Sequence, residues 1–230
     1  MNIKNYYIES GQGFPLILLH GNGENHEYFV HQIAEFSKIR RVLAIDTRGH
    51  GKTPRGDGPF TIARFAEDLK VFLEEQGIEK ADVLGFSDGG NIALVFAMRY
   101  PECVRNLVLN GANLDPKGVK ASIQLPIILG CKIASLFASK SPKARRSAEL
   151  LGLMVHDPNV KPEDLRKIQA RTLVIAGTKD MIKRSHTELI ARSIKGAKLV
   201  FLEGDHFIAN KRATEFNEVV GRFLENLSHC

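Results

Sequence analysis

The chain has 230 residues, 43% of them hydrophobic and 25% charged, which suits one globular domain of ordinary composition without internal repeats or low-complexity tracts. Thirty-two basic residues against 26 acidic ones leave a net charge of +6, and no nucleic-acid-binding motif accompanies that excess. The longest apolar stretch, Leu125 to Phe137, is broken by Pro126, Gly130 and Lys132 and excludes a transmembrane span; Met1 to Asn5 carries no signal-peptide pattern; and three scattered cysteines, Cys103, Cys131 and Cys230, suit a reducing cytoplasm better than a disulfide framework or a metal site.

In chain order, strand and helix patterns alternate. Ile3 to Glu9 reads as an opening strand, closed by the turn Ser10-Gly11-Gln12-Gly13. The run from Pro15 to His20 is of the kind buried on both faces of a parallel sheet. An amphipathic helix over Phe29 to Phe36 precedes a second buried strand, Arg41 to Asp46. Ile62 to Gln76 is predicted helical, with Ile62, Phe65, Ala66, Leu69 and Phe72 on one face and Gly77 as its stop. A strand at Ala81 to Leu84, a buried helix at Ile92 to Met98 and a strand at Val104 to Leu109 follow. The alternation then lapses between Leu114 and about Ile168, where helical segments are joined at Ser141-Pro142, Asp157-Pro158 and Lys161-Pro162. It resumes with a strand at Arg171 to Ala176, a helix at His186 to Ser193, a strand at Ala197 to Leu202 and a final helix from Thr214 to Leu227. The expected fold class is α/β: a mostly parallel central sheet flanked by helices, with residues 1–113 and 169–230 forming the core and 114–168 a helical lid.

Gly85-Phe86-Ser87-Asp88-Gly89 lies between a strand and a helix. A serine at the tip of so sharp a turn needs neighbours without bulk two residues on either side, and glycine meets that need. By itself the stretch is equally a glycine-rich turn with a serine cap. The surroundings favour chemistry. His20-Gly21-Asn22, Ser87, Gly177-Thr178-Lys179-Asp180 and Glu203-Gly204-Asp205-His206 all fall just past predicted strand ends, the edge that holds the binding crevice of an open α/β sheet.

These pieces, with Asp46-Thr47-Arg48-Gly49-His50-Gly51, make the sequence resemble the α/β-hydrolase superfamily over most of residues 15–113 and 162–224. The elbow Ser87-Asp88-Gly89-Gly90 is similar to that of small amino-acid-ester and aryl-ester hydrolases. The resemblance implies a triad of Ser87 as nucleophile, His206 as base and Asp180 as its orienting acid, with Asp115 the rival acid. The backbone N–H groups of Asn22 and Asp88 would receive the oxyanion. Asp205 reads as a turn residue, and Asp46, Arg48 and His50 as stitches within a loop. Two features depart from the family pattern: the N-terminal strands are missing or shortened, and the histidine loop reads Gly204-Asp205-His206.

The expected activity is that of a serine hydrolase cleaving a small ester, thioester or activated amide, with no cofactor and no metal. A carbon–carbon bond hydrolase or non-hydrolytic enzyme, or a binding protein without catalysis, are the alternatives. Between Leu114 and Ser147 seven basic residues face one acid, an excess of six that equals the net charge of the whole chain. Such a rim favours anionic acyl substrates. The apolar Ile123, Leu125, Ile127, Ile128, Leu129, Ile133, Leu136 and Phe137 between those charges either line an acyl pocket or rest against an anionic membrane surface.

Overall fold

A computed structural model describes residues 3–225. Among them seven strands form one sheet: β1 (Tyr7–Ser10), β2 (Pro15–Leu19), β3 (Arg41–Ile45), β4 (Ala81–Phe86), β5 (Val104–Asn110), β6 (Arg171–Gly177) and β7 (Lys198–Leu202), in the order β1-β3-β2-β4-β5-β6-β7. Only the β1–β3 pairing is antiparallel. The chain moves to one side of β2 to lay down β3 and then crosses to the other side for β4. That reversal opens a crevice at the C-terminal ends of β2 and β4, where loops diverge instead of packing on each other.

Eight α-helices accompany the sheet among the described residues: α1 (Val30–Phe36), α2 (Ile62–Glu75), α3 (Asp88–Arg99), α4 (Ala121–Phe137), α5 (Pro142–His156), α6 (Arg184–Ser193), α7 (Ile208–Lys211) and α8 (Ala213–Glu225). Side chains alternate across a strand, so each strand feeds two cores. Ile17, Leu19, Leu43 and Ile45 pack with Phe65, Leu69 and Phe72 of α2, Ile92 and Phe96 of α3 and Ile190 of α6. Leu16, Leu18, Val42 and Ala44 pack on the other face with Phe36 of α1 and Phe216, Val220 and Phe223 of α8. Runs of consecutive apolar residues are what a sheet covered on both faces requires. The predicted face of α2 is the buried one, its first turn is capped by Thr61 Oγ1 accepting from Arg64 N–H at 3.2 Å, and Gly77 ends it with φ +63°.

Several boundaries differ from the sequence expectation. The opening strand begins at Tyr7 and not at Ile3, because its only partner is the short edge of β3. Helix α3 starts at Asp88 and not at Ile92, so Gly89, Gly90 and Asn91 are helical. The one-turn α7 follows the histidine loop and was not foreseen. The final helix starts at Ala213; its expected end at Leu227, like Cys230, Met1 and Asn2, lies outside the described residues. Pro126 does not interrupt α4: it is the sixth helical residue, exposed, and forfeits only the bond its N–H would have made one turn back.

Between β5 and β6 the main elements are α4 and α5, joined by four residues into a hairpin. Gln124 of α4 donates from Nε2 to the carbonyl of Met154 in α5 at 3.0 Å. The hairpin is tied to the sheet edge through α5, where Arg55 pairs with Glu149 at 2.7 Å and Asn22 Nδ2 donates to the carbonyl of Leu150 at 2.7 Å. Among the described residues no helix is long and apolar enough to cross a membrane.

Candidate active site

Ser87 stands between β4 and α3 with φ +53° and ψ −120°, the only non-glycine residue of positive φ among those described. Such a conformation costs roughly 1–3 kcal/mol and persists only where the surroundings over-determine it. Its N–H donates to the carbonyl of Asn110 at 2.8 Å, and its own carbonyl accepts from Asn91 N–H at 3.0 Å. The flanking glycines are required by close backbone passage. A Cβ on Gly85 would lie 2.2 Å from the carbonyl oxygen of Gly89, and one on Gly89 would lie 2.0 Å from that of Leu19.

The structure brings Ser87, His206 and Asp180 together from the ends of β4, β7 and β6. Ser87 Oγ is 3.0 Å from His206 Nε2, and His206 Nδ1 is 2.7 Å from Asp180 Oδ1. An ionised carboxylate only accepts, so the imidazole proton sits on Nδ1 and Nε2 faces the serine hydroxyl as an acceptor. Asp180 is itself held by Ile182 N–H at 2.8 Å, and both Asp180 and His206 are buried. Asp115 is elsewhere: its carboxylate caps a short turn through Lys117 N–H at 2.7 Å. Asp205 accepts from Phe207 N–H at 2.9 Å and pairs with Lys211 on the outside of the loop, as a turn residue does. Gly111 leaves room for the imidazole and Gly177 for the backbone of the histidine loop, roles the sequence does not assign them. A Cβ on Gly111 would fall 2.6 Å from His206 Cε1, and one on Gly177 would fall 2.1 Å from the carbonyl oxygen of Asp205.

Asn22 and Asp88 meet on the other side of Ser87. Asn22 Nδ2 donates to Asp88 Oδ2 at 2.8 Å, and Asn91 Nδ2 donates to Asp88 Oδ1 at 3.2 Å. The Asn22 side chain is thereby occupied, whereas its backbone N–H has no acceptor among the described residues. The Asp88 N–H opens α3 and has no carbonyl one turn back to bond. The helix dipole favours an ionised Asp88. Burial outweighs it and pushes the carboxyl up to about 6, with the bonds from Asn22 and Asn91 opposing the shift. A second acid nearby was not foreseen. Glu24 accepts from Gly21 N–H at 3.0 Å and is pushed up to about 7 by burial. Its position three residues past Gly21, in a turn, was the available signal.

The loop after β3 is stitched as expected. Asp46 accepts from the N–H groups of His26 and Lys52, both at 2.8 Å, and Arg48 grips Asp68 at 2.7 and 2.8 Å. His20 braces it from below, donating from Nδ1 to the Gly21 carbonyl at 2.7 Å and accepting Thr47 N–H at Nε2 at 3.0 Å. Burial lowers His20 to about 4, which keeps it neutral in that role. No three His, Cys, Asp or Glu side chains cluster at metal-binding distance among the described residues.

A family model described as the alpha/beta hydrolase fold matches residues 15–126. The chain is 32% identical to a 2-hydroxymuconate semialdehyde hydrolase of Pseudomonas putida over 94% of its own length and 89% of that protein. It is 29% identical to the serine hydrolase BPHL of Mus musculus over 96% of its length and 82% of that protein. Among solved structures, a meta-cleavage product hydrolase from Pseudomonas fluorescens IP01 superposes with a TM-score of 0.79 at 25% identity, covering 96% of this chain and 94% of the other.

Proposed function

The chain belongs to the α/β-hydrolase family, and from that membership we propose that it is a serine hydrolase which cleaves a small ester, thioester or activated amide through an acyl-enzyme on Ser87. The supporting observation is the Ser87–His206–Asp180 relay set on a backbone turn of positive φ. In this reading His206 Nε2 takes the hydroxyl proton as Oγ attacks the acyl carbon. Asp180 stabilises the imidazolium, and the N–H groups of Asn22 and Asp88 receive the oxyanion. His206 then passes the proton to the leaving group. Water, activated by the same nitrogen, releases the acid and restores Ser87.

A second reading has a specific support. 2-Hydroxymuconate semialdehyde has no ester or amide bond, so hydrolysis of such a compound breaks a carbon–carbon bond, and the Pseudomonas putida relative carries that name. The residues around Ser87 fit either chemistry, since both pass through an oxyanion beside the elbow. The charges do not all point one way. The basic excess of the hairpin raises the encounter rate of anionic acyl substrates at long range, while the acids Asp88 and Glu24 are bonded to the Gly21-Asn22 loop beside the elbow.

The test has two parts. A fluorophosphonate probe, mapped by mass spectrometry, should label Ser87 and fail on Ser87→Ala; labelling that survives in Ser87→Ala overturns the assignment. A panel of neutral and carboxylate-bearing esters, thioesters and dienol 1,5-diketone acids, run at low and high salt, then separates the readings. Turnover confined to the diketone acids favours the carbon–carbon bond hydrolase. A carboxylate preference that shrinks with salt supports steering by the basic hairpin.

A further inference from the structure

Helix α4 is packed with its apolar side outward. The residues it buries include Gln124 and Cys131, while its solvent side carries Leu125, Leu129, Ile133, Leu136 and Phe137, each between 50% and 75% exposed. The spacing of Leu125, Leu129 and Ile133, continued by Leu136 and Phe137, is a single helical stripe. With Ile123, α4 holds six of the ten large hydrophobic side chains exposed among the described residues. The remaining four, Val30, Ile39, Leu199 and Phe207, are scattered over other elements. A stripe aimed away from the sheet lines no acyl pocket at Ser87, which removes one of the two roles the sequence leaves open for it.

The charges around the stripe select the occupant. Lys120 stands at the N-terminal end of α4, Lys132 on the edge of its apolar side, and Lys140, Lys143 and Arg145 beyond its C-terminal end, all of them exposed. None of these, nor Lys117 or Arg146, makes a salt bridge among the described residues. The only acid between Leu114 and Ser147, Asp115, is engaged in capping its turn, and Glu149 of α5 is paired with Arg55. An apolar stripe with unpaired cations at both ends is complementary to a surface with an apolar interior and anionic head groups. A second copy of the chain fits less well, because a two-fold contact through α4 would set the two unpaired basic rims against each other.

We propose that α4 is a membrane-docking helix. Its apolar stripe lies in the boundary between head groups and acyl chains of an anionic bilayer, and the lysines and Arg145 reach outward to lipid phosphates. The helix lies in the surface instead of crossing it: 17 residues span only about 25 Å, and its opposite face is committed to α5. Docking there holds the α4–α5 hairpin, and through Leu150 and Glu149 the crevice of Ser87, next to the lipid phase. The inference is independent of which bond the enzyme cleaves.

The experiment is flotation of the full chain with vesicles of phosphatidylcholine alone or with about 30% phosphatidylglycerol, at low and high salt. Binding to the anionic vesicles, weakened by salt, is expected, with little binding to the neutral ones. Leu129→Glu with Ile133→Glu should lower the partition coefficient about tenfold or more, and so should Lys140→Glu with Lys143→Glu, while both pairs keep the parent melting temperature and the parent rate of Ser87 labelling by an uncharged fluorophosphonate. The chain has no tryptophan, so Leu129→Trp supplies a single reporter. Its emission should shift to the blue on anionic vesicles and be quenched by brominated acyl chains. Equal binding to both vesicle types, or a tryptophan that stays in water while the protein floats, overturns the proposal. A concentration-dependent dimer that the Leu129→Glu, Ile133→Glu pair abolishes, with no vesicle binding by the parent, assigns the stripe to a second copy and overturns it as well.

Discussion

Replacing Asp180 by Asn tests the relay most directly. Asp180 Oδ1 accepts two bonds, from His206 Nδ1 and from Ile182 N–H, while Oδ2 is buried without a partner among the described residues. An asparagine has to choose. If its oxygen keeps both donors, its NH2 group occupies the buried Oδ2 position unpaired, at a cost of about 1–3 kcal/mol. If the amide turns, its nitrogen faces His206 Nδ1, and the imidazole is driven to the tautomer with its proton on Nε2. That proton then points at Ser87 Oγ, which loses its base. In either case no negative charge balances the imidazolium of the transition state. The expected loss in kcat is about 10³–10⁴-fold, equivalent to roughly 4–5.5 kcal/mol of transition-state stabilisation. The assay is release of p-nitrophenol from a short activated ester, with circular dichroism melting as the check on folding. Asp115→Asn is the control and should retain near-parent kcat. Adding Asp180→Asn to Ser87→Ala should cost little further, because members of one relay are not additive. A folded Asp180→Asn within tenfold of the parent, or an Asp115→Asn as inactive as Asp180→Asn, refutes the reasoning.

Two more expectations concern the surrounding shell. Burial raises Asp88 from 3.8 to about 6, so between those values the native state binds more protons than the unfolded one and stability falls as pH rises; the penalty is absent below about 4, complete above about 6, and amounts to about 3 kcal/mol. The melting temperature of Asp88→Asn relative to the parent should therefore be several degrees higher at pH 8 than at pH 4.5, and an equal difference at both pH values contradicts this. Gly111 sits at φ +64° with His206 beside the space a side chain would take, so Gly111→Ala should cost about 1–2 kcal/mol by urea unfolding and lower kcat at least tenfold by displacing the imidazole; wild-type kcat in that variant would show that His206 has room to move.

The sequence carried most of the sheet and the three residues of the relay. Four-residue and longer apolar runs mark strands covered on both faces, and the placement of Ser87, Asp180 and His206 after three such runs follows from their positions along the chain. The lapse in alternation likewise marked the α4–α5 segment. Its boundaries were less legible. The start of α3 at Asp88 is masked by Gly89 and Gly90, poor helix formers whose local signal is that of a turn; Gly89 is glycine because a Cβ there would meet the Leu19 carbonyl oxygen at 2.0 Å. The one-turn α7 is too short for any periodicity to announce it.

Other features were decided by tertiary structure alone. The sequence favours Asp180 over Asp115 by its place after a strand, but the 2.7 Å contact with His206, across 26 residues, is made by the pairing of β6 with β7. Gly111 and Gly177 acquire their roles only from what lies against them in space, so no local pattern singles them out. The clearest case is α4. From composition its leucines and isoleucines serve equally well as a pocket lining or as an outer face, because a helical period states which residues share a side and not which way that side turns. The bonds from α5 to Asn22, Arg55 and Gln124 fix the hairpin on the sheet and so turn the apolar stripe of α4 outward.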